Sequence, residues 1–167
     1  RYNPTPGASY QDCGFFYTTL YCQPVIRLLN EAFYHYRTDN PDSSIRSIAK
    51  VSCIHDEFMF ISDFIQKKPD NKASFAPVFS RWMLNCYFFN YRRLATGYQI
   101  SFLKMMHADL HLFLREKFFS SSHLSILNRI RSRLILFSPS LFYWISYSWN
   151  LPLKQGIPQR QRKGLPS

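Results

Sequence analysis

Beyond Glu116 the chain has no acidic residue. Residues 117–167 carry eight basic side chains and no Asp or Glu, whereas residues 1–116 carry 13 basic and 10 acidic ones. Ten acids in 167 residues leave few oxygen ligands for metal-assisted phosphoryl chemistry. Glycine is also scarce, at 5. That count argues against a nucleotide-binding α/β domain built on Gly-rich phosphate loops. No nucleophile elbow, phosphate loop or paired-carboxylate motif is present, and nothing in the sequence asks for a cofactor. None of the four cysteines, Cys13, Cys22, Cys53 and Cys86, forms a CxxC pair. They read as reduced thiols, because a chain this long and this cysteine-poor needs no disulfide framework.

Long apolar runs are nearly absent. Leu134 to Leu153 holds no charge and has the length of a spanning helix, but Ser138, Ser140, Ser146, Ser148, Asn150, Pro139 and Pro152 interrupt it. It reads as buried helix, and a membrane is not the expected partner. The chain opens at Arg1 and not Met, as a processed chain or a fragment would, and no signal peptide is readable at this start. An intracellular protein is expected, cytoplasmic or nuclear.

Two quantities are high. The chain has 16 Phe, 11 Tyr and 3 Trp, so 18% is aromatic; its net charge is +11 and its pI about 9.7. Aromatic wealth excludes wholesale disorder. The length suits a single domain.

Apolar spacing of three and four residues predicts an all-α, compact bundle of six or seven helices. An irregular N-terminal arm is expected over 1–17, the helical domain over 18–150 and a flexible basic tail over 151–167. Val25, Ile26, Leu29, Ala32, Phe33 and Tyr36 predict a helix over 23–37, started by Pro24. Further helical runs are expected over 45–54, from Phe58 to Ile65 and from Pro77 to a stop at Gly97. The last three lie over 99–119, from Leu124 to Phe137, and from Leu141 to Trp149, the last with a strand as alternative.

The charge asymmetry is the strongest functional signal. Arg129 and Arg133 are four apart and share a helix side, while Arg131 points elsewhere. With Arg160, Arg162 and Lys163 of the tail, they form a candidate phosphate-contacting set that gains affinity by counterion release. Arg92 and Arg93 extend it. Tyr87, Tyr91, Tyr143 and Tyr147 are candidate stacking residues if they lie outside the core. The expected function is non-catalytic contact with RNA or DNA phosphates, within a larger assembly. A helical protein-interaction module without nucleic acid is the first alternative.

The second alternative is a metal-dependent enzyme. His107 and His111 are four apart on one helix and could share a metal, with Asp109 pointing away. Ala108 stands where an HExxH motif has its glutamate.

Ser44 to Phe58, SIRSIAKVSCIHDEF, resembles the helix-turn-helix pattern, with Ile48-Ala49 at the close helix contact and Ile54 after the turn. The resemblance implies a DNA-reading second helix. Cys53 occupies the usual Gly position, and Asp56 and Glu57 would open the reading helix, where acids repel phosphate. Two core helices joined by a bend explain the same residues.

Overall fold

A computed structural model describes residues 10–23, 25–27, 29–35 and 48–148. These form six α-helices and no strand: α1 (Gln11–Cys22), α2 (Cys53–Gln66), α3 (Lys72–Arg93), α4 (Thr96–Arg115), α5 (Ile126–Phe137) and α6 (Pro139–Ser148), with a short 3-10 turn at Pro69–Asn71. The architecture is an all-α bundle.

Helix α2 shows how periodicity becomes core. Ile54, Phe58, Ile61 and Ile65 recur at helical spacing and are all fully buried. They face Phe79, Met83, Leu84 and Tyr87 of α3 and Phe102, Leu103, Met106, Leu110 and Phe113 of α4, members of the same buried cluster. Aromatic rings link the helices edge to face. Phe58 meets Phe79 at 5.5 Å, and Phe79 meets Phe113 at 5.4 Å, the geometry that ring quadrupoles favour. Tyr91 and Phe88 of α3 hold Phe142 of α6. Much of the aromatic content is therefore core.

The helix ends follow local chemistry. Ser125 caps α5 by accepting from the Asn128 N–H at 3.2 Å. The Ser138 hydroxyl accepts from Leu141 N–H at the start of α6, with Pro139 in its first turn. Extended backbone at Ser138 divides α5 from α6, so the uncharged run is broken in two. Among the described residues no helix is long and apolar enough to cross a membrane. The turn that follows α4 is made at Lys117, which adopts φ 57. Its N–H reaches Leu114 O and the Phe118 N–H reaches Phe113 O, the Schellman pairing, in which glycine usually takes the left-handed place.

Three expectations about elements are corrected. Gln11–Cys22 is helical, although an irregular arm was expected through residue 17; residues 1–9 lie outside the described residues. The reason is long-range. Buried Glu57 of α2 accepts the Gly14 N–H at 2.7 Å, placing a carboxylate on an otherwise unpaired donor of the first turn. Conversely, the helix expected over 23–37 is absent among its described residues. Val25 is 82% exposed and Phe33 71%, so its apolar face has no surface to pack on, and packing is what stabilises short helices. Gly97 does not stop α3; Leu94 does, in extended geometry, and Gly97 lies in the first turn of α4.

The helix-turn-helix resemblance also fails. Residues 48–52 are non-helical, so the first helix is missing there; residues 44–47 lie outside the described residues. The Ala95 N–H donates to Ile48 O and the Asn90 side chain to Lys50 O, tying the segment to the α3–α4 corner. The would-be reading helix, α2, spends its apolar side on the core.

Candidate binding surface

Charge separates by helix. Helices α1 and α2 contain Asp12, Asp56, Glu57 and Asp63 and no basic residue. Helices α3, α5 and α6 contain no acid; α3 carries Lys72, Arg81, Arg92 and Arg93, and α5 carries Arg129, Arg131 and Arg133. The acid-free character of the sequence after Glu116 thus extends in space to include α3.

Side chains bring α5 alongside α3. The Asn128 amide donates to Asn85 Oδ1 at 3.4 Å. The Arg131 guanidinium lies 5.3 Å over the Phe88 ring, a cation–π contact. Burial, and then the positive charge of Arg92, push the Arg131 pKa down. Arg92 is thus near enough for its charge to be felt at Arg131. Along α3, Arg81, Asn85 and Arg92 are exposed and fall at helical spacing along one side, over about 16 Å at 1.5 Å per residue. We call the line from Arg81 and His123, past Asn85 and Asn128, to Arg92 and Arg131 the α3–α5 seam.

The arginines singled out by sequence have different surroundings. Arg92 and Arg133 are exposed. Arg129 is exposed, but its Nη2 donates to Ser122 O at 2.9 Å. Arg93 is directed into the fold: its Nε donates to Asn90 Oδ1 at 2.8 Å, and its guanidinium lies 5.4 Å over the Tyr10 ring. Tyr10 also donates to Asn90 Oδ1, at 3.1 Å, so this cluster anchors the start of α1. Arg160, Arg162 and Lys163 lie outside the described residues. Of the candidate stacking residues, Tyr87 and Tyr91 are buried, Tyr143 is half-buried and Tyr147 is exposed.

A cavity of about 200 Å³ opens at the Arg81 end of the seam. Tyr17, Pro77, Val78 and Trp82 form its apolar lining, and Arg81, Asn85 and His123 its polar lining. Sequence reasoning missed Arg81 and Asn85. The available signal was the stripe 81, 85, 92 in a 22-residue helix without acids.

The outer side of α5 and α6 is different in kind. Ile126, Ile130, Arg133 and Phe137 follow helical spacing on α5, with Leu127 beside them; Leu141, Trp144 and Tyr147 do so on α6. The apolar members are all exposed, Ile126 at 78% and Phe137 at 80%.

The histidines resolve as follows. His107 and His111 do share a face, with ring centroids 4.5 Å apart, and His107 Nδ1 meets Ile135 O at 2.9 Å. Among the described residues no group of three His, Cys, Asp or Glu could hold a metal. Asp109, between them in sequence, turns inward. It accepts from Tyr87 Oη at 2.5 Å and from His55 Nδ1 at 2.8 Å, pinning α2, α3 and α4 together. The bond to Asp109 raises the His55 pKa against the opposing effect of burial. Burial, then Asp109, drive the Tyr87 pKa well above its ordinary value. All four cysteines are free. The neighbouring Cys86 thiol, and then burial, push the Cys13 pKa up and keep its thiol protonated.

No family, no curated protein and no solved structure matches this chain.

Proposed function

We propose that the protein is a non-catalytic nucleic-acid-binding component that lays a single strand along the α3–α5 seam. The observation that carries this reading is Arg131, half-buried over the Phe88 ring of α3 and within reach of the Arg92 charge, on a side whose helices contain no acid. Holding like charges together is unfavourable, and a polyanion removes that cost while releasing counterions. The tail residues Arg160, Arg162 and Lys163 would add charge to the seam, whereas Arg133 belongs to the outer side of α5. Contacts made by guanidiniums to a strand's phosphates carry no sequence information directly, so sequence preference is weak.

The test is fluorescence anisotropy of the full chain with labelled single-stranded RNA, single-stranded DNA and duplex. Arg92→Ala with Arg131→Ala should weaken single-strand binding about tenfold or more, alike for all sequences. Lys67→Ala with Lys68→Ala, beyond α2, should leave it unchanged. Equal losses from both double variants would remove the seam from the reading.

A second reading concerns the α5–α6 face. Ile126, Leu127, Ile130 and Leu141 share this face with the exposed rings of Phe137, Trp144 and Tyr147, and interfaces between proteins favour apolar centres with Trp, Tyr and Arg. This face suits an acidic, apolar-anchored protein partner within an assembly. It predicts that an acidic amphipathic helical peptide binds the full chain and its sign-inverted counterpart does not. Ile130→Asp should abolish the peptide complex while sparing RNA.

A further inference from the structure

The seam ends in a cavity whose two walls differ chemically. One is aromatic and aliphatic: Trp82, Tyr17, Pro77 and Val78. The other presents Arg81, Asn85 and His123, and no acidic side chain lines any part of it. At about 200 Å³ it lies below drug-sized sites, which run from about 300 Å³ upward, and has room for one flat heteroaromatic ring with part of its sugar. Trp82 is held in place from the core side: its ring lies 3.9 Å from that of Tyr17 and 5.6 Å from that of Phe58, centroid to centroid. A fixed ring pays less entropy on binding than a mobile one.

We infer that this cavity seats one nucleotide, its base against Trp82 and Tyr17 and its phosphate at Arg81 and His123. The chemistry asked of the ligand is a planar aromatic group carrying an anion. An uncharged nucleoside satisfies only the apolar wall, and inorganic phosphate only the polar one. The inference rests on the seam reading for its source. A strand running from Arg92 and Arg131 toward Arg81 would deliver one nucleotide into the cavity, whereas a free mononucleotide would reach it without the seam.

The experiment reads Trp82 fluorescence in the full chain with Trp144→Phe and Trp149→Phe, so that one indole remains. The probes are AMP, CMP, adenosine, inorganic phosphate, phenylacetate and single-stranded RNA. AMP and CMP should quench Trp82 saturably, with adenosine and phosphate each at least about tenfold weaker. Arg81→Ala should weaken mononucleotide binding at least about fivefold without lowering the melting temperature, since Arg81 is exposed. Adenosine quenching as well as AMP, no quenching at millimolar AMP, or phenylacetate binding as well as AMP would each overturn the inference. RNA binding that depends on Arg92 and Arg131 yet leaves Trp82 unquenched would sink the cavity assignment and keep the seam. AMP quenching without any RNA binding would keep the cavity and sink the seam, leaving a free nucleotide as the ligand.

Discussion

At the scale of single residues, two contacts hold more than their neighbours do. A Cβ on Gly14 would lie 1.9 Å from Glu57 Oε1, and Glu57 is fully buried, so the carboxylate has nowhere to retreat. Gly14→Ala should cost about 2 kcal/mol, the usual penalty for overpacking, read as a lowered urea midpoint. The second contact is pH-dependent. Protonated His55 is favoured in the folded state by Asp109, so its folded pKa is raised. The stabilisation is complete below the unfolded value, near 6.5, and is lost as pH rises through the raised folded value. The melting-temperature gap between the wild type and His55→Asn should therefore be widest under mildly acidic conditions and shrink towards alkaline pH. A gap that grows with pH would show that the proton does not favour the pair. Neither contact was legible in sequence. His55 and Asp109 are 54 residues apart, and Gly14 and Glu57 are 43 apart; spacing along the chain carries no trace of either.

At the scale of elements, local signals worked where support is local. Ser138 and Pro139 mark a real helix boundary, and Arg92 and Arg93 do fall in the last turn of α3, where they suit the dipole. Local signals failed where support comes from elsewhere. The α1 sequence QDCGFFYTTLYC has a glycine and aromatic and β-branched residues where helix formers would be expected, and its helix depends on Glu57. The segment with good spacing, 23–37, lacks a surface to pack on. The corner after α4 offers a prediction at this scale. Lys117 occupies the left-handed position of the Schellman turn, at a steric cost that glycine avoids. Lys117→Gly should stabilise the protein by about 1 kcal/mol, seen as a higher melting temperature. Destabilisation would mean that the lysine side chain contributes something the turn geometry does not reveal.

At the scale of the whole molecule, apolar spacing anticipated the all-α fold class. It did not anticipate which arginines are available. Their distribution depends on which side of α3 meets α5, and that is a tertiary fact. Arg93 went to the anchoring of α1, Arg131 to a half-buried place over Phe88, and Arg81 emerged at a cavity. Aromatic excess was equally ambiguous in sequence: Tyr87 and Tyr91 belong to the core, whereas Trp144 and Tyr147 face outward. The result is a molecule with acids on α1 and α2, arginines along the seam between α3 and α5, and an apolar outer face on α5 and α6.

The most direct measurement is the salt dependence of single-stranded RNA binding by the full chain. Each phosphate neutralised contributes a slope of about −0.7 in log K against log salt. The three seam arginines, Arg81, Arg92 and Arg131, predict a slope of about −2 between about 50 and 200 mM salt, shallower by about 1 to 2 when Arg92 and Arg131 are both replaced by Ala. Binding indifferent to salt, absent at about 50 mM, or unchanged in slope by those two substitutions would contradict a polyanion on this seam.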